Sequence, residues 1–98
     1  MPKGYLIAHI RAHDHEKMKE FSALARPAIA KHGGNVLVVN LNPTIKEGPE
    51  SGTAVVIEFE NMGAAEKFYH SEDYTAAKAI RLLAAETDLI LAEGLSSD

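Results

Sequence analysis

Two groupings of side chains stand out when the chain is read for chemistry. His9 sits in the apolar run from Tyr5 to Ala12, and Glu58 in the β-branched run from Thr53 to Glu60. An imidazole and a carboxylate projecting from adjacent central strands onto one covered sheet face can tune each other's protonation and act as a catalytic acid–base pair. The same two groups serve equally as a structural ion pair or hydrogen bond shared with Arg11, which is the commoner use of buried pairs. The second grouping, Tyr69, Ser71, Tyr74 and Arg81, surrounds a break between two helical stretches. Hydroxyls and a guanidinium there can bind a ligand through a carboxylate or other anionic group at a helix N-terminus. The plainer arrangement has Ser71 capping the helix, the aromatic rings packing, and Arg81 tied to an acidic neighbour.

His13-Asp14-His15 has the residue types of a metal site, but three consecutive residues at a turn point in different directions and rarely close on one ion. Asp14 reads better as a helix cap, His15 as a first-turn residue, and His32 and His70 as helix-end residues. The chain has no glycine-rich phosphate loop, nucleophile elbow or zinc-protease helix motif. Neither a metal nor an organic cofactor is expected.

These residues must be positioned by a small set of elements. Tyr5 to Ala12 reads as a strand that ends before Asp14. From Glu16 onward Met18, Phe21, Leu24, Ala25, Ala28 and Ile29 recur at three- and four-residue steps, the stripe of an amphipathic helix. Pro27 predicts a kink or restart near Arg26, and Gly33-Gly34 a left-handed ending. Val36 to Leu41 and Thr53 to Glu60 read as a hairpin joined by a polar loop around Gly48-Pro49-Glu50-Ser51-Gly52. Asn61 caps a short helix carrying Ala65, Phe68 and Tyr69, and Ser71 caps a second stretch bearing Tyr74, Ala77, Ile80 and Leu83. Thr87 to Glu93 closes the pattern as a fourth strand, and Gly94 to Asp98 reads as a small, frayed polar tail.

The order β-α-β-β-α-β is the α+β, ferredoxin-like unit: a four-stranded antiparallel sheet with its helices on one face. Leu6, Ala8 and Ile10, with Val55, Ile57 and Phe59, form the more apolar set and should face the helices. The opposite set includes Tyr5, Ile7, Val56, Val36, Val38, Ile90 and Ala92 and is still largely apolar. A monomer would expose it, so a homodimer is expected in which two sheets face each other and enclose a barrel-like, ligand-sized space.

Composition narrows the partners. Ninety-eight residues, 46% of them apolar, make one domain with a modest core. The net charge of -4 offers no basic field for nucleic acid or anionic lipid. The absence of cysteine removes disulfides, thiolate zinc sites and cysteine nucleophiles, and suits a reducing compartment. The N-terminal apolar stretch is broken by His9 and reads neither as a signal peptide nor as a membrane span, which points to a cytoplasmic protein.

Tyr5, Ala8, Asp14, Gly33-Gly34, Glu47-Gly48, Val55 to Phe59, Ala65, Phe68-Tyr69, Ser71, Tyr74, Arg81 and Glu93-Gly94 together form a pattern. On these residues the chain resembles, over nearly its whole length, the domain-of-unknown-function 1330 family of small bacterial dimeric α+β barrels. The resemblance implies the same ferredoxin-like dimer and a place near cofactor-free monooxygenases and chlorite-type barrels. It implies no established activity. One departure stands out: where such sequences carry an arginine followed by two glycines, this chain has Val39-Asn40-Leu41. Three readings follow. The chain is a dimeric barrel binding a small, partly apolar molecule, as a possible cofactor-free enzyme using His9 and Glu58; or a non-catalytic protein whose covered sheet face is only an interface; or a cofactor-independent monooxygenase of phenolic substrates.

Overall fold

The structure, a computed structural model, describes residues 2–49 and 52–96. Glu50 and Ser51 of the polar loop and the last two residues of the tail lie outside the described residues. The order is β1 (Gly4–Ala12), α1 (His15–Lys31), β2 (Asn35–Asn40), β3 (Thr53–Phe59), α2 (Met62–Tyr69), α3 (Glu72–Ala84) and β4 (Ala85–Glu93). The strands form one antiparallel sheet in the order β2-β3-β1-β4, the ferredoxin-like arrangement. No described helix is long and apolar enough to cross a membrane.

The caps are those the sequence announces. The side chains of Asp14, Asn61 and Ser71 accept from the backbone amides of Lys17, Ala64 and Tyr74, satisfying donors that helix starts otherwise leave open. Gly33, at φ 73°, closes α1 in the left-handed conformation, and the amide of Gly34 returns to the Ile29 carbonyl at 2.8 Å. The predicted restart at Arg26 does not occur, because α1 runs unbroken with Pro27 inside it. Pro27 and Ala23 are both exposed, so the carbonyl that Pro27 leaves without a donor can be met by water.

Two corrections concern which way side chains face. Opposite Ile57 stands Val36, but opposite Val56 stands Val38, because a bulge takes up Leu37. Val36 therefore faces the helices, while Val38 keeps its expected place on the open face. In α3 the buried stripe is Tyr74, Ala77, Arg81 and Ala84, not Tyr74, Ala77, Ile80 and Leu83; Leu83 is 69% exposed. The helix has turned one position so that a guanidinium, rather than a leucine, points inward.

The core is dense beneath α2 and hollow beneath α1. Phe68 of α2 stacks on Phe59 at 5.1 Å and meets Tyr74 at 4.5 Å, and both phenylalanines are fully buried. Each such burial contributes about 1.5–3 kcal/mol. α2 lies against β1, β3 and β4, whereas α1 leans chiefly on α3. Only Ala25 and Ala28 of α1 are buried, and alanines at those positions are too short to fill the space above Ala8.

Candidate functional site

That hollow is a cavity of about 830 Å³ between α1 and the helix-facing side of the sheet. Its floor comes from Leu6, Ala8 and Ile10 of β1 with Val55 and Ile57 of β3, and its roof from Met18, Phe21 and Ala25. Val36 and Val39 of the edge strand β2 and Leu41 just beyond it form a flank open to solvent, the three being 46%, 60% and 80% exposed. The departure at Val39-Asn40-Leu41 thus puts two apolar side chains on the cavity wall, while Asn40, opposite Ala54, turns to the other face.

The ionisable residues on the lining are His15, Arg26, Arg81 and Tyr74; no carboxylate is among them. Arg81 and Tyr74 stand at the α3 end. Arg81 is 3% exposed, and its guanidinium lies 5.8 Å from the Phe21 ring centre. Its Nη2 donates to the Tyr74 hydroxyl over a long 3.4 Å, and its Nε has no partner. No carboxylate among the described residues forms an ion pair with it. A buried cation without a countercharge is costly, and proteins rarely keep one without a use. Burial pushes the Tyr74 phenol above its ordinary range, against the opposing pull of the Arg81 charge. The phenol therefore stays a hydrogen-bond donor at neutral pH, and nothing among the described residues accepts from it.

The other two members of the anion-binding group stand outside the cavity. The Ser71 hydroxyl donates to the Phe68 carbonyl at 2.7 Å while accepting from the Tyr74 amide. Tyr69 packs 5.7 Å from the Tyr74 ring, with the Lys78 ammonium 4.7 Å over its own face. Both hold Tyr74 in place from behind.

His9 and Glu58 do share the open sheet face, as expected, but within one chain they do not meet. Register decides it: His9 stands opposite Ala54, and Glu58 opposite Tyr5, four positions along the strand or roughly 13 Å away. Glu58 instead accepts from the Tyr5 hydroxyl at 3.2 Å, and desolvation followed by this contact raises the Tyr5 phenol. Arg11 pairs with Asp88, not with either of them, at 3.2 Å. Neither His9 nor Glu58 lines the cavity.

The hollow lies on the helix side of the sheet rather than on the face where the sequence suggested a ligand space, and Met18, Phe21 and Arg26 on its lining were not singled out from the sequence. A signal was present: Ala8 and Ala25 are small residues at the centres of two facing apolar stripes. Arg81 likewise falls seven residues after Tyr74, two helical turns along the same face.

Comparison with known proteins agrees with this architecture. The chain belongs to the family described as Domain of unknown function (DUF1330), whose profile matches residues 3–95. No curated protein matches it. Among solved structures it is similar to a protein of unknown function from Rhodopseudomonas palustris, at 16% identity over 97% of this chain and 84% of that one, with a TM-score of 0.80. A dimeric ferredoxin-like protein of unknown function from Thermobifida fusca matches at 16% identity over 94% and 91% of the two chains, TM-score 0.68. SnoaB, a cofactor-independent oxygenase from Streptomyces nogalater, matches at 10% identity over 99% and 97%, TM-score 0.67. At these identities the likeness is one of fold.

Proposed function

We propose that this DUF1330 member works as a homodimer and binds a small, partly apolar molecule in the cavity between α1 and the sheet of each copy. The observation that carries this reading is the cavity itself. Its volume of about 830 Å³ falls within the range of ligand sites, and its lining is mostly apolar with a few polar groups, Tyr74 and Arg81 among them. Tyr74 and Arg81 are the ligand contacts in this reading, with Ser71 and Tyr69 as positioning residues. The dimer would cover the other side of the sheet, where Ile90 is 58% and Val38 40% exposed. Covering so much apolar surface is the ordinary reason for two such sheets to pair, and the Thermobifida fusca protein of the same fold is described as dimeric.

The test is a thermal-shift screen of small aromatic, acidic and aldehyde metabolites on the wild type and on Ala25→Leu, which fills the cavity from its roof. A ligand at a hundred times its Kd stabilises the folded state by about 2.7 kcal/mol. Hits on the wild type that vanish in Ala25→Leu support the reading. Hits that persist in the filled variant, or none at all, reject it.

A second reading, cofactor-independent oxidation of a phenolic substrate, has the support of the fold shared with SnoaB. Fold alone is a weak warrant for chemistry. Oxygen uptake with a panel of quinols and polyphenols tests it, and no uptake above the protein-free rate removes it.

A further inference from the structure

We infer that the cavity selects monocarboxylates: molecules with one carboxylate, held at the α3 end by Arg81 and Tyr74, and an apolar body lying over Ala8 and beneath Ala25. The inference rests on the cavity being a binding site and adds the class of ligand.

Charge balance makes the first argument. Arg81 is almost wholly buried, lines the cavity and meets no carboxylate among the described residues. Since the lining supplies no anion, the countercharge must arrive with the ligand. One buried cation matches one negative charge; a dianion such as a phosphomonoester would bring a surplus charge into an apolar space. Carbon-rich walls ask for an apolar remainder.

Donor geometry makes the second. The Tyr74 hydroxyl accepts from Arg81 and retains its own proton, so an O–H and the guanidinium N–H groups stand side by side, 3.4 Å apart at their linked atoms. Two neighbouring donors, one of them charged, suit an acceptor with two adjacent oxygens, which a carboxylate has and an alcohol or amine lacks. A second depression of about 410 Å³ shares His15, Met18, Ser22 and Arg26 with the cavity lining and adds Lys19, whose ammonium pairs with Glu16 at 3.4 Å.

Isothermal titration at pH 7.5 tests the proposal with hexanoate, octanoate, decanoate and 2-naphthoate, each beside the alcohol and the amine of the same carbon skeleton. The wild type should bind at least one acid about tenfold or more tightly than its alcohol, with the amine not bound. Arg81→Met should remove that preference, and Tyr74→Phe should reduce it in part. If acid and alcohol bind equally well and both are lost in Ala25→Leu, the cavity is a binding site and the carboxylate class is overturned. If the amine binds best, the class is overturned likewise. If none of the probes binds at millimolar concentration, the reading of the cavity as a site for apolar molecules falls with it. Circular dichroism of each variant, showing wild-type secondary structure, separates loss of binding from loss of fold.

Discussion

Arg81→Met should make the unliganded protein more stable, which is the opposite of what removing a buried charged partner usually does. Met keeps an unbranched apolar stem of similar reach and discards only the guanidinium. The losses are the cation over the Phe21 ring at 5.8 Å, about 0.5–1 kcal/mol at that range, and a long hydrogen bond to Tyr74, about 0.5 kcal/mol. Against these stands the cost of holding the ion. The partnerless Nε alone costs about 1–3 kcal/mol, and the unneutralised charge adds a penalty of several kcal/mol in a site this enclosed. The balance favours Met by about 2 kcal/mol or more, and each kcal/mol raises Tm by roughly 4–8 °C for a domain of this length. Urea unfolding at fixed protein concentration measures it, with the slope checked so that the midpoint alone is compared. An unchanged or lowered midpoint would refute the reasoning, since it would mean that Arg81 is fully supported by the protein and needs no ligand to neutralise it.

Three further outcomes follow from the same structure. Ile90→Lys places a charge at the middle of the open sheet face, opposite Ile7, and should convert a dimer to a monomer in light scattering at micromolar concentration; a wild type that is already monomeric there would contradict the exposed-face argument. Gly52→Ala should cost more than about 2 kcal/mol in urea, because Gly52 sits at φ 75° and an added Cβ would come to 2.4 Å from the Ile10 carbonyl oxygen. Tyr74→Phe should flatten the alkaline limb of the stability profile. With its phenol raised above 10.0, the folded state holds this proton more tightly than the unfolded chain; the contribution is complete below about pH 10 and is lost as pH climbs through the folded value. Equal slopes for wild type and variant would place that loss on other groups, among them Tyr5, whose phenol is also raised.

The elements were legible because each has a local cause. Asp14, Asn61 and Ser71 announce helix starts, Gly33 a helix end, and the β-branched run of β3 a strand, and none of these depends on distant contacts. Facing was legible only where the period is uninterrupted. β1 and β3 alternate cleanly, so their two faces were assigned correctly. One bulge residue, Leu37, is enough to send Val36 and Val38 to opposite sides, because strand periodicity is two and any extra residue inverts all that precedes it. In α3 the apolar appearance of Leu82 and Leu83 misdirects the reading: both are more than 60% exposed, while Arg81 beside them is buried. Hydropathy cannot forecast that reversal, since it arises from α1 standing off the sheet and leaving room for a guanidinium.

The site was half legible for the same reason. Residue type identified Tyr74 and Arg81 as a pair able to hold an anion, and helical spacing two turns apart keeps them together whatever the tertiary fold. His9 and Glu58 lacked any such local guarantee, because their meeting depended on a strand register that only the folded sheet fixes. The sheet offers two apolar faces, and the difference between them lies in what fills the space above each. On the open face Val38 is 40% and Ile90 58% exposed, a condition that a second sheet can relieve at once. On the helix face Ala25 of α1 and Ala8 of β1 border a void, and at its α3 end stands a cation that pairs with no carboxylate among the described residues. Packing alone would close that void with leucines and replace Arg81 by one as well. Keeping both the space and the charge is what the proposed ligand site requires.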